Sequence, residues 1–193
     1  MNTLRLHLIL CAGFATTFGS MRAQVAVQVE PVNLHGPRTL TDQAKGAVIR
    51  DYLRAWQGFN AAMDQNRPEL LEADFVGTAK DKLGDTVQQQ GKLGIHTRYQ
   101  DRSHDIQFLF YSPDGLSLEL TDTVHYDVQV LEHDKVITTK RESARYLVVL
   151  TPAEVRWRVR ISNHNRNDAM ASNLEVFAHP SSKSTRKKHL TLC

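Results

Sequence analysis

The sequence has few cysteines and no long hydrophobic run. Its two cysteines, Cys11 and Cys193, lie near opposite ends of the 193 residues. This placement excludes a disulfide framework or a thiolate metal cluster within the intervening domain. The absence of a run of about 18 apolar residues excludes a transmembrane helix. The folded part must therefore be stabilised by its hydrophobic core alone, which a domain of this length can build.

The chain also lacks a strong charge of either sign. Its 24 Lys and Arg residues face 21 Asp and Glu residues, for a net charge of +3. Residues 1–23 carry +2 and residues 164–193 carry +3, so residues 24–163 carry −2. A nucleic-acid-binding domain carries its basic excess on the folded part, so nucleic acid is not an expected partner. The histidines lack the spacing of zinc ligands, and we expect no metal and no cofactor.

The first 23 residues have the order of a secretory signal peptide. Arg5 precedes the apolar stretch Leu8–Ala15, and small and polar residues follow up to Ala23. We therefore predict a signal peptide over residues 1–23 and an exported protein, periplasmic or secreted. An uncleaved amphipathic start and a lipoprotein anchored at Cys11 are the alternatives.

Two further segments lack the periodicity of a folded core. Residues 24–40 contain Pro31, Gly36 and Pro37, and they predict an extended linker or a loosely docked arm. Residues 163–193 are polar and basic towards their end, and they predict a disordered basic tail. The folded domain is therefore expected over residues 41–162.

The first part of this domain has helical periodicity. A helix is expected to begin at Thr41, and Pro68 can open a short second helix that reaches Leu71. Thr78 and Asp81 have the spacing of a capping box for a third helix. The first helix carries one continuous apolar stripe: Ala44, Val48, Tyr52, Ala55, Trp56, Phe59 and Met63.

From His96 the apolar residues recur with period two, which predicts four strands. Tight turns over residues 112–115, 132–135 and 151–154 make neighbouring strands antiparallel. The last strand is expected to place Val155, Trp157, Val159 and Ile161 on one face and Arg156, Arg158 and Arg160 on the other. The prediction is an α+β domain, with three N-terminal helices packed on one face of a bent four-stranded antiparallel meander.

This order of elements, with the segment Ile49–Trp56, resembles the nuclear transport factor two-like superfamily. That superfamily includes ketosteroid isomerase, SnoaL-type polyketide cyclases and exported domains of unknown function. The resemblance covers about residues 41–162. It implies a cone-shaped, cystatin-like fold with a pocket between the helices and the concave sheet. It implies no particular activity, because this architecture is shared by enzymes, binding proteins and assembly domains.

Asp122 is the one acidic residue in the apolar alternation of its strand, which places it on the buried face. If Ser112 pairs with Leu116 across the first turn, Asp122 lies beside Ile106 and His104 lies beside Val124. Titratable groups in an apolar cleft are candidates for acid–base chemistry or for fixing a ligand. A purely structural polar network is the alternative.

The remaining candidate residues follow from the same alignment of strands. If Val130 pairs with Val136, Glu142 also lies opposite Val124 and joins His104 and Asp122. Tyr126 lies nearby, below the helix stripe. The candidate ligand-binding residues are therefore His104, Asp122, Glu142, Tyr126, Tyr52 and Trp56.

Three functions remain open on the sequence. The first is a non-enzymatic domain that binds a small apolar ligand or a protein partner. The second is a ketosteroid isomerase-like or cyclase-like enzyme that uses the pocket acids. The third is a structural module that forms a homodimer through the outer face of its sheet, where Arg156, Arg158 and Arg160 are expected.

Overall fold

The computed structural model describes residues 25–32, 34 and 38–164. The predicted signal peptide lies outside the described residues, as does almost all of the predicted basic tail, so export and the tail remain predictions. Within the described part no helix is long and apolar enough to cross a membrane.

Helix α1 (Asp42–Gln65) matches its prediction closely. The hydroxyl of Thr41 caps it by accepting a hydrogen bond from the backbone N–H of Ala44, at 3.3 Å. It ends at Asn66, which adopts a left-handed conformation. Its apolar stripe faces the sheet, and the buried side chains are Val48, Asp51, Tyr52, Ala55, Trp56, Phe59, Ala62 and Met63.

The next two predicted helices need correction, because the described residues form two α-helices rather than three. Pro68–Leu71 forms only a single 3-10 turn. Helix α2 (Gly77–Lys92) follows Val76 and has no side-chain cap. The hydroxyl of Thr78 donates instead to the carbonyl oxygen of Arg160, at 3.3 Å, so the capping box is wrong. That bond ties the start of α2 to the last strand.

The sheet has five strands instead of the predicted four. They are β1 (Ala26–Val29), β2 (Ile95–Tyr111), β3 (Leu118–Glu132), β4 (Lys135–Pro152) and β5 (Trp157–His164), and they lie side by side in that order. Strand β1, from within the predicted linker, pairs with β2 in parallel. The other neighbours are antiparallel, so the α+β class is confirmed and the sheet is mixed.

A bulge in β2 changes which side chains face the helices. The pairing with β3 shifts between Asp101 and Ser103, so Arg102 is the extra residue. Asp101 therefore faces α1, where Asn60 donates a hydrogen bond to it at 2.9 Å. His104 faces the same side and is buried. Strict alternation from His104 would have placed Asp101 on the outer face.

The faces predicted for the last strand are wrong, because a second bulge interrupts its pairing with β4. Val159 pairs with Leu150, whereas Ile161 pairs with Val149, so Arg160 is the extra residue. Val159 is buried, while Ile161 is only partly buried. Val155 precedes β5 and is 82% exposed, and Trp157 is partly buried against the core. The four residues therefore do not share one face.

Candidate functional site

Three buried polar side chains meet inside the domain. The Tyr52 hydroxyl donates a hydrogen bond to Oδ2 of Asp122 at 2.8 Å, and Nδ1 of His104 lies 2.7 Å from the same oxygen. Asp122 is fully buried, and Tyr52 and His104 are 3% and 1% exposed. Oδ2 therefore accepts from the Tyr52 hydroxyl and also contacts the imidazole of His104. We call Tyr52, Asp122 and His104 the buried triad.

The pairing of β2 with β3 brings two members of the triad together. Asp122 lies opposite Ile106 and His104 lies opposite Val124, as the sequence predicts. The assumed starting pair is nevertheless wrong, because the backbone N–H of Ser112 bonds to the carbonyl of Ser117 rather than that of Leu116. A bulge between Phe108 and Phe110 compensates for this difference.

Glu142 does not join the triad. It lies opposite Tyr126, whereas Ala144 occupies the predicted position opposite Val124 and Tyr146 lies opposite Asp122. The turn between β3 and β4 pairs Glu132 with Lys135, which moves β4 by one residue from its predicted pairing. A bulge between Val130 and Leu131 moves it by one residue more. Because the total shift is two residues, Glu142 stays on the predicted face but moves along the strand.

Three buried side-chain oxygens near this cluster have no hydrogen-bond partner: Oδ1 of Asp122, Oδ1 of Asp101 and Oδ1 of Asn60. Burial raises the pKa of Asp101, although the charge of His104 and the hydrogen bond from Asn60 lower it. Buried polar atoms are normally paired, so each exception marks a place that a water molecule or a ligand could satisfy.

A mainly apolar cavity lies between α1, α2, β4 and β5. The cavity has a volume of about 40 Å³. It is open on one side, and the whole concavity, with the solvent at its mouth, is about 380 Å³. Its lining residues are Tyr52, Ala55, Trp56, Phe59, Phe75, Leu83, Tyr146, Val159 and Ser162. The cavity and the triad therefore share Tyr52.

The six predicted ligand-binding residues separate into two groups. Tyr52 and Trp56 line the cavity. Neither His104 nor Asp122 is among its lining residues, and the Trp56 ring packs edge-on against the His104 ring with centroids 5.5 Å apart. Tyr126 and Glu142 also do not line it, although both lie on the inner face of the sheet.

The buried tyrosines remain protonated over the ordinary pH range. Burial, followed by the charge of Asp122, raises the pKa of Tyr52 well above its usual value. Burial also raises the pKa of Tyr146 and of Tyr99. Burial raises the pKa of Tyr126, and the hydrogen bond with Tyr146 lowers it in part. These side chains can therefore act as neutral hydrogen-bonding groups.

Sequence reasoning missed several residues of this region. Tyr146 could have been found, because it shares its parity with Val148 and Leu150. Asp101 and Ser162 could not, because bulges place them on the inner face. Phe75 lines the cavity because residues 74–76 run beside Val159, with hydrogen bonds of 2.9 Å in each direction.

Two of the three arginines predicted on the outer face of the last strand, Arg156 and Arg158, form hydrogen bonds with the segment before α2. Arg156 donates to Oδ1 of Asp74 at 3.0 Å, and Arg158 donates to the carbonyl oxygens of Glu72 and Phe75. These contacts fasten the segment before α2 to β5. Among the residues that the structure describes, no group of three or more His, Cys, Asp and Glu side chains could hold a metal ion.

Comparison with known proteins identifies the fold. No protein-family model matches the sequence, and no curated protein matches it. The intermembrane-space region of the chloroplast protein ARC6 is similar in structure, with a TM-score of 0.52 and 12% identity; the match covers 66% of this chain and 98% of that one.

Two bacterial structures align with lower TM-scores. A putative scytalone dehydratase from Novosphingobium aromaticivorans has a TM-score of 0.44 and 15% identity, over 67% of this chain and 95% of that one. Aln2 from Streptomyces has a TM-score of 0.45 and 15% identity, over 72% and 98%. At 12% identity the likeness to the ARC6 region concerns the fold alone.

Proposed function

We propose that this chain, which has the fold of the nuclear transport factor two-like superfamily, binds a small, largely apolar molecule in the cavity between α1, α2, β4 and β5. The observation that carries the proposal is the composition of the cavity wall. Among its lining residues only Tyr52, Tyr146 and Ser162 carry a hydroxyl group, and the other six side chains are apolar or aromatic. Small-molecule sites are typically apolar concavities with a few placed polar groups.

The chemistry around the cavity supports binding rather than catalysis. Asp122 and His104 are the groups suited to acid–base work, and they lie behind the wall instead of in it. Tyr52 reaches the cavity, but its raised pKa makes it a poor base or nucleophile. A protein partner would need a far larger contact area than this concavity offers. Self-association through the outer sheet face remains a separate proposal.

The experiment compares two leucine substitutions on one helix. Ala55→Leu adds three carbons to a lining side chain and fills the cavity, whereas Ala61→Leu adds the same group at a half-buried position outside it. Native mass spectrometry of protein purified from its own host should detect a retained small molecule in the wild type and in Ala61→Leu. Ala55→Leu should lose it. Retention by Ala55→Leu at the wild-type level would place the molecule elsewhere and contradict the proposal.

An acid–base enzyme is the second candidate, and the observation that favours it is the buried oxygen Oδ1 of Asp122, which lacks a donor. The same mass measurement on Asp122→Asn distinguishes the two functions. A binding protein retains either the wild-type molecule or nothing. An enzyme without its acid would instead retain a chemically different molecule, the unconverted substrate.

A further inference from the structure

We infer that the cavity selects molecules that donate a hydrogen bond, such as alcohols, phenols or N–H compounds, because Tyr52 has committed its own proton to Asp122 behind the wall. This inference rests on the proposed function and names the chemical class of its ligand. An apolar wall alone would select by shape and size. The direction of the hydrogen bonds adds a chemical preference.

The geometry of Tyr52 sets this direction. Its O–H donates to Oδ2 of Asp122 at 2.8 Å, and a hydroxyl has only one proton to give. Its oxygen still has two lone pairs, which can only accept hydrogen bonds. A ligand that reaches this oxygen therefore meets an acceptor and finds no donor.

Asp122 is the positioning residue for this arrangement. His104 and Tyr52 both contact the same carboxylate oxygen, at 2.7 and 2.8 Å, in a fully buried site. A hydrogen bond to a buried carboxylate is stronger than one between neutral groups, so the Tyr52 proton does not readily turn towards the cavity. The charge of Asp122 thus acts on the ligand only through Tyr52.

Tyr146 brings a second hydroxyl to the lining residues, and this hydroxyl shares a hydrogen bond with that of Tyr126. Ser162, the third hydroxyl of the wall, can turn to donate or to accept. A ligand that only accepts hydrogen bonds would find no donor at the Tyr52 oxygen and would remain unpaired there.

Three one-ring probes of similar size test this preference. Phenol donates, toluene forms no hydrogen bond, and benzaldehyde only accepts. Isothermal titration calorimetry is carried out on wild-type protein from which any retained ligand has been removed. Benzaldehyde should have the lowest affinity of the three probes, below that of toluene. In Tyr52→Phe the affinity of phenol relative to toluene should fall about three- to tenfold, the usual value of one hydrogen bond. Tyr111→Phe, a buried tyrosine outside the cavity wall, should leave the ratio unchanged.

The outcomes separate the inference from the proposed function. Binding of none of the probes by the wild type would contradict both. Binding of all three, with benzaldehyde as tight as phenol, would overturn the inference and leave the binding function standing. If Tyr52→Phe does not fold, the wild-type ranking of the three probes still decides the question.

Discussion

Two buried aspartates differ in how their oxygens are satisfied. Asp51 is 2% exposed, and both of its oxygens have partners: Arg50 contacts Oδ1 at 3.2 Å, and the backbone N–H of Trp157 donates to Oδ2 at 2.9 Å. Asp122 is 0% exposed, and both of its hydrogen bonds involve Oδ2 while Oδ1 has none. The two residues belong to neighbouring parts of one core.

The difference separates a structural contact from a candidate site. Asp51 joins α1 to the first residue of β5, and its partners account for the whole carboxylate. Asp122 joins β3 to Tyr52 and so to the cavity, with one oxygen left over. Because buried polar groups are normally paired, the unpaired oxygen of Asp122 marks a position that a water molecule or a ligand could satisfy, and Asp51 has no such position.

Removal of Asp51 should have the largest effect on stability. Asp51→Ala leaves the N–H of Trp157 without its partner, and we expect the free energy of unfolding to fall by about 1–3 kcal/mol. Urea denaturation measures the change. Arg50→Ala is the control, since Arg50 is 62% exposed and its ion pair should contribute less than about 1 kcal/mol. Equal losses from the two variants would show that the ion pair, and not the backbone contact, is what matters.

Asp101 is an intermediate case, because its Oδ2 accepts a hydrogen bond from Asn60 and its Oδ1 has no hydrogen-bond partner. Its pKa is raised, so the folded state binds this proton more tightly than the unfolded chain, where an aspartate titrates near about 3.9. Stability is therefore lost as the pH rises from that value through the folded pKa. Asp101→Asn does not titrate and keeps an acceptor for Asn60.

We therefore expect Asp101→Asn to be more stable than the wild type at pH 7, with the advantage vanishing near about pH 3. Urea denaturation at both values measures it. An advantage that is the same at both values would contradict the assignment, because it would not depend on ionisation.

The sequence predicted the site best where a strand alternates without interruption. Strand β3 alternates between buried and partly buried residues from Leu118 to Val130, so Asp122 could be assigned to the inner face. The spacing of the α1 stripe likewise placed Tyr52 and Trp56. In both elements the hydrophobic period decides the orientation of each side chain.

Bulges and turns limited the rest of the prediction. One extra residue reverses every later side chain, and nothing in the hydrophobic pattern marked Arg102 or Arg160 as extra. The position of Glu142 depended on a turn in which His133 and Asp134 both adopt positive φ values, followed by another bulge. Strand β1 was missed because its residues are mostly exposed and too few to show a period.

The most direct test of the contrast is Asp122→Asn, measured for unfolding in urea and for ligand retention on one preparation. The substitution keeps an acceptor for Tyr52 and His104 and removes a buried charge with an unpaired oxygen. Its free energy of unfolding should therefore stay within about 1 kcal/mol of the wild type.

The retained molecule should nevertheless be bound more weakly, by at most about three- to tenfold as expected for Tyr52→Phe, because Tyr52 is no longer held by a charge. Asp51→Asn, in contrast, should bind it as the wild type does. A loss of about 3 kcal/mol or more in Asp122→Asn, with the molecule bound as tightly as in the wild type, would contradict the account and make Asp122 a structural residue like Asp51.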